Sequence, residues 1–208
     1  MKLVLASNNA KKLSELQTLL AGLPIELVAQ GALGVPEADE PHGTFVENAL
    51  AKARQAARLT SLAAIADDSG LCVDALGGAP GVQSALFAPA PTMSGEREAV
   101  RRVQDSANNA LLLKRMHGVA DRRCRFVSTL VALRHADDPE PLIAFGRWHA
   151  RLLEAPRGQG GFGYDPLVWI DELNASVAEL DAEQKSRHSH RARAAAQMCE
   201  LMRQAWQP

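Results

Sequence analysis

Cysteine is sparse in this chain of 208 residues, and the three present, Cys72, Cys124 and Cys199, are odd in number, far apart and in no metal-ligand spacing. That pattern excludes a disulfide-stapled secreted scaffold and favours a reducing cytoplasm. As plain structure the three are small buried hydrophobes. An excess of one charge is missing too: 23 Lys and Arg against 24 Asp and Glu leave a formal net charge of -1. No whole-molecule field then draws the protein toward nucleic acid or an anionic membrane, so any phosphate recognition must be local. No apolar run approaches a membrane-spanning length, and the opening MKLVLAS is too short and wrongly flanked for a signal peptide. Zinc-type HExxH, the P-loop GxxxxGK[ST] and the nucleophile elbow GxSxG are all absent.

What is present is enough apolar material, 47% of residues, to bury a core in one large domain or two small lobes. Residues 2–6 and 25–29 read as strands, with Leu13, Leu16, Leu19 and Leu20 at helical spacing between them. Thr44 and Glu47 match a capping box that opens an alanine-rich helix to about residue 59. Residues 63–66 return to a strand that is expected to end in a tight turn at Asp67, Asp68, Ser69 and Gly70. A helix is predicted over 96–116, strands over 125–133 and 142–153, a glycine-dense loop over 156–166, and one closing helix over 186–206. The alternation makes the class α/β. Pro89, Pro91 and Gly95 mark the expected break between lobes.

Four stretches could carry chemistry. SNNAKK, residues 7–12, lies between a strand and a helix, where unpaired N–H groups and the helix dipole favour phosphate; equally, Asn9 could only cap the helix and Lys11 and Lys12 be solvated. In ADDSG, residues 66–70, successive side chains point to opposite faces, so at most one of Asp67 and Asp68 is expected in the active site. Such a carboxylate can bind a hard cation or take a proton from water, or cap a turn. In GQGGFGYDP, residues 158–166, glycines allow close backbone approach and Phe162 and Tyr164 offer faces for a base. The basic run Lys185, Arg187, His188, His190, Arg191 and Arg193 surrounds the last helix, where a solvated face is the plain alternative. With no zinc pattern, carboxylates and substrate phosphates suit Mg²⁺.

In this order, SNNAKK, TFVENALAKA, ADDSGLCVDALGGAPG, GQGGFGYDP and EQKSRHSHR closely resemble the blocks of the inosine triphosphate pyrophosphatase, or Ham1-like, family. The resemblance runs nearly end to end and implies one domain over 1–208: an elongated, two-lobed α/β fold with a long curved mixed sheet, a cleft between lobes, and a homodimer. It implies Mg²⁺-dependent hydrolysis of ITP, dITP and XTP to the monophosphate and pyrophosphate, without nucleic-acid or membrane partners. By likeness, Ser7, Asn8, Asn9, Ala10, Lys11 and Lys12 hold the triphosphate with Ser69. Asp68 is general base and metal ligand, Glu40 is the second metal carboxylate (Glu37 and Asp39 stand close by), and Lys52 is a phosphate contact. Phe162, Gly163, Tyr164 and Asp165 form the base wall, with Lys185, His190 and Arg191 closing over the purine, where donors of His190 or Arg191 would disfavour adenine.

The chain departs from the family pattern at Asn8, where glycine is frequent and asparagine's tolerance of positive φ would preserve the turn. It departs again at Gln83 and Leu86, where tyrosine and arginine are usual. Two rival readings are a Maf-like pyrophosphatase of modified pyrimidine nucleotides, against which SNNAKK and SHR speak, and a silent nucleotide sensor, against which Asp68, Glu40, Lys12 and Lys52 speak.

Overall fold

A computed structural model describes residues 1–90 and 96–206. Seven strands form one mixed sheet: β1 (Lys2–Leu5), β2 (Glu26–Ala29), β3 (Ala63–Val73), β4 (Arg123–Leu133), β5 (Leu142–Leu152), β6 (Val168–Ile170) and β7 (Ala175–Ser176), in the order β2-β1-β3-β4-β5-β6-β7. The α-helices are α1 (Ala10–Leu19), α2 (Phe45–Thr60), α3 (Arg97–Arg115), α4 (Ala182–His188) and α5 (His190–Ala205). The α/β class holds.

The chain divides into two compact units: Met1–Asp68, Ser128–Arg147 and Ser186–Pro208 make the first, Ser69–Val127 and Trp148–Lys185 the second. The division thus falls inside β3, β4 and β5 and within α4. It does not fall at Pro89, which is exposed; Pro91 and Gly95 lie outside the described residues. A proline-rich stretch signals a connection, but units built from several chain segments are divided where strands pass from one to the other.

In the first unit β1 runs parallel to both β2 and β3, with Leu5 opposite Ala29 and Ile65. Strand alternation sorts the side chains cleanly. Leu3, Leu5, Ile65, Leu130 and Ala132 join Leu16 of α1 and Met198 and Met202 of α5. Val4, Ala6, Ala64, Ala66, Val131 and Leu133 meet Ala49, Ala53, Ala56 and Ala57 of α2. The alanine stripe is why α2 lies close to the sheet. Its start is capped as the sequence indicates: Thr44 Oγ1 accepts from Glu47 N at 3.3 Å and donates to its carboxylate at 2.6 Å.

The second unit packs Leu112 and Met116 of α3 with Phe126, Trp148, Leu152, Leu167 and Val168. Two expectations are corrected here and at the chain's end. The strand at 63–66 does not turn at ADDSG: β3 continues to Val73, because Gly70 lets the backbone pass Gly81 and Ser84, where a Cβ would lie 2.4 Å from Gly81 O and from Ser84 Oγ. The closing helix over 186–206 is two helices, because Ser189 turns out of helical geometry (φ -63, ψ 158) and its side chain accepts from Ala192 N to cap α5.

Candidate active site

In the first unit the site gathers at the carboxyl end of β1, where open α/β sheets place ligands, beside the middle of β3, which runs on past it. Strand β1 ends at Leu5, and Ala6 N still donates to Ile65 O at 2.8 Å. Two residues on, the carbonyl of Asp67 faces the same edge with no strand left to pair it. Two ammonium groups take that role: Lys52 Nζ donates to Asp67 O at 3.1 Å and Lys12 Nζ at 3.3 Å. Lysines from α2 and α1, on opposite faces of the sheet, therefore converge on one backbone oxygen.

The two aspartates separate as alternation requires. Asp68 continues the face of Ala64 and Ala66 and meets α2: its Oδ1 accepts from Lys52 Nζ at 2.9 Å, while the same ammonium donates to Glu40 Oε1 at 2.7 Å. Asp68 Oδ2 is buried and has no hydrogen-bond partner among the described residues. Burial pushes the Asp68 carboxyl above its usual range against the opposing pull of Lys52. Lys52 is itself raised, since the charges of Asp68 and Glu40 outweigh its desolvation. Of the three acidic residues in the 37–40 loop, Glu40 is the one joined to Lys52.

Asp67 continues the face of Ile65 and meets α1 and α5. Its carboxylate accepts from Ser128 Oγ at 2.7 Å and from Arg191 Nε and an Arg191 terminal nitrogen, both at 3.1 Å, and it pairs with Lys12 Nζ at 2.9 Å. Burial would raise its pKa, yet the charges of Arg191 and Lys12 hold it well below the usual range. Lys12 is lowered, chiefly by burial, with Arg191 and Lys52 adding repulsion. Arg191 also donates to Glu15. Arg191, expected over the purine, is thus buried and engaged by two carboxylates of its own unit. Sequence reading missed Glu15 and Ser128. Glu15 lies one turn beyond Lys12 on α1, and Ser128 is a polar residue inside an apolar strand, which are the two signals that could have found them.

The SNNAKK loop is partly as expected. Asn9 caps α1, its side chain accepting from Lys11 N at 3.0 Å and Lys12 N at 3.3 Å, and Asn9 N donates to Ser7 Oγ at 3.2 Å. A cavity of about 330 Å³ is lined by Ser7, Asn8, Asn9, Ala10, Leu13, Ala29 and Gly31. Lys11 is exposed. Asn8 is corrected: it is not among the residues of positive φ. Its tolerance comes from Gly31 instead, where a Cβ would stand 2.6 Å from Asn8 Oδ1, an atom buried without a hydrogen-bond partner among the described residues.

In the second unit the GQGGFGYDP loop folds on Asp165, whose Oδ2 accepts from Phe162 N at 3.0 Å and from Lys185 Nζ at 2.7 Å. Lys185 Nζ also lies 5.0 Å from the centroid of the Phe162 ring. Tyr164 does not offer a face: it is buried in the core and its hydroxyl donates to Ser84 O at 2.9 Å. Phe162 alone of the two aromatics stays half-exposed. Ser69 is half-buried on β3, His190 is half-buried at the first turn of α5, and Gln83 and Leu86 are exposed on the 3-10 segment Gly81–Leu86.

Among the described residues no group of three or more His, Cys, Asp and Glu could hold a metal, and no helix is long and apolar enough to cross a membrane. The fit to a hard cation is a narrower one: two carboxylates, one with a buried oxygen lacking a partner, which suits an ion whose remaining ligands are water and phosphate.

Residues 3–201 match the model of the Ham1 family. The chain is 69% identical to a dITP/XTP pyrophosphatase of Methylibium petroleiphilum and 66% identical to one of Leptothrix cholodnii, covering 99% of this chain and of the relative in each case. Its structure is similar to that of a HAM1 protein from Coxiella burnetii, with TM-score 0.87 and 37% identity over 99% of this chain and 100% of that one.

Proposed function

The chain belongs to the Ham1 family, and from that footing we propose that it hydrolyses non-standard purine nucleoside triphosphates, ITP, dITP and XTP, to the monophosphate and pyrophosphate. The observation that carries the reading is Asp68: a buried carboxylate raised in pKa, steered at one oxygen by Lys52 and without a hydrogen-bond partner among the described residues at the other. An acceptor of that kind is where a proton of the attacking water would be taken. Lys12 and Lys52, converging on Asp67 O, supply fixed positive charge for phosphate oxygens without reorganising in the reaction. The names of the relatives, at 69% and 66% identity, support the substrate class.

Mg²⁺ would be held by Asp68 and Glu40 and would supply charge neutralisation at the phosphates. In the second unit Phe162, with Lys185 and Asp165 beside it, suits a stacked base. Ser7, Asn9 and Ser69 remain proposed phosphate contacts, and His190 a proposed base contact. Arg191 is read as holding Asp67. We also infer a homodimer, and a reducing cytoplasm on the ground of three buried free cysteines.

The test is pyrophosphate release from ITP, XTP, dITP, ATP and GTP with and without Mg²⁺. The expected result is Mg²⁺-dependent release from the 6-oxo substrates lacking a 2-amino group, with ATP and GTP slow. Asp68→Asn is expected to fold and lose release; a rate equal to wild type would reject Asp68 as the base, and orthophosphate as product would reject the reaction.

A further inference from the structure

Helix α3 carries two polar pairs at i, i+4 spacing that belong to none of the family-like sequence blocks. Gln104 and Asn108 tie the helix to the segment 84–88: Gln104 Nε2 donates to Ala88 O at 2.9 Å, Asn108 Oδ1 accepts from Ala88 N at 2.8 Å, and Asn108 Nδ2 donates to Ser84 O at 3.2 Å. The same Ser84 carbonyl receives the Tyr164 hydroxyl at 2.9 Å. The neighbouring pair grips the loop itself. Asp105 Oδ2 accepts from Gly163 N at 2.9 Å, and Asn109 Nδ2 donates to Gly163 O at 2.9 Å. Both main-chain polar groups of one loop residue are thus held by side chains one helical turn apart.

The residue so held has φ +62, a left-handed conformation that favours glycine. The arrangement also fixes the Asn109 amide: a carbonyl can only accept, so the nitrogen must face Gly163 and Oδ1 must point elsewhere. Consistent with this, Asn109 Oδ1 is buried and has no hydrogen-bond partner among the described residues. A loop whose glycines would leave it free to move is therefore clamped immediately next to Phe162.

We propose that Asp105 and Asn109 are positioning residues that set the base selectivity of the Phe162–Asp165 loop by fixing Gly163. The inference rests on the reading that this loop receives the purine. Selectivity between bases that differ by one donor or acceptor depends on groups held to within tenths of an ångström. A loop released at Gly163 still folds around Asp165 but no longer presents its backbone at one fixed place.

The experiment compares Asp105→Ala, Asn109→Ala and Asp105→Asn with wild type: kcat and KM for XTP and ATP by pyrophosphate release, XMP affinity by titration calorimetry, and thermal melting. Each alanine variant is expected to raise KM for XTP and Kd for XMP roughly three- to tenfold, to change kcat little, and to lower the XTP-to-ATP ratio of kcat/KM. Asp105→Asn keeps an acceptor and is expected to restore the ratio. An unchanged ratio and XMP affinity in a folded alanine variant overturns the proposal, even if its melting temperature falls. If Asn109→Ala does not fold, the Asp105 pair decides alone. Wild type that binds XMP but releases no pyrophosphate would reject the reaction while XMP affinity still tests the clamp; wild type that does not bind XMP would overturn both.

Discussion

At the scale of single residues, the adjacent aspartates show how one strand assigns two tasks. Asp67 and Asp68 differ by one step of a pleat, and that step sends one to Arg191 and Lys12 and the other to Lys52 and Glu40. The sequence made their separation legible, because side-chain alternation is a property of any strand. Which aspartate would be neutralised by arginine was not legible, since Arg191 lies 124 residues further along the chain. Removing one member of such a buried set leaves the others uncompensated, at a cost of about 3–5 kcal/mol, so Asp67→Asn is expected to lower stability strongly at pH 7 in denaturant titrations. The sign of its pH dependence follows from the depressed folded pKa. The contribution is full above the unfolded value of about 3.9 and is lost as pH falls through the still lower folded value. The stability gap between wild type and Asp67→Asn should therefore narrow as the solution is acidified below that unfolded value, and a gap that widens would reject the assignment. For Asp68 the direction is opposite: its raised pKa places the acid limb of kcat/KM above the ordinary aspartate range, and a limb at or below it would contradict a buried base.

At the scale of elements, local signals and tertiary ones divide the legible from the hidden. The start of α2 was readable from Thr44 and Glu47 because a cap is made within four residues. Its loss in Thr44→Ala is expected to cost about 1 kcal/mol, measured as a fall in the denaturation midpoint. The continuation of β3 through ADDSG was not readable, because polar residues with a glycine imitate a turn and only the close approach of Gly81 and Ser84 to Gly70 explains the straight run. The break before α5 could have been read from Ser189, whose hydroxyl is an ordinary N-cap; the basic residues on both sides of it obscured that signal. Gly146 on β5 sets where α5 begins, since a Cβ there would stand 1.8 Å from His190 O. Gly146→Ala is expected to displace the first turn of α5, lowering both melting temperature and turnover, whereas an enzyme of unchanged turnover would separate that turn from the site.

At the scale of the whole molecule, a net charge of -1 and pI near 6.6 leave attraction of a polyanionic substrate to a few buried cations. Raising NaCl at fixed Mg²⁺ is therefore expected to change kcat/KM only slightly, because charges out of solvent are weakly screened. A steep loss would point to steering by exposed basic residues such as Lys11 and Arg187.

The first unit also has a consequence for how the protein is made. Its three stretches are far apart in the chain, and the Arg191 that neutralises Asp67 and reaches Glu15 belongs to the third of them. On the ribosome, β1, α1 and the aspartates emerge before α5 and must wait for it, so this unit cannot close until α5 has been made. Pairings of such long sequence separation slow folding and lengthen the exposure of apolar surface. A nascent chain stalled before α5 should accordingly be protease-sensitive throughout residues 1–68, and acquire resistance in one step when α5 is released.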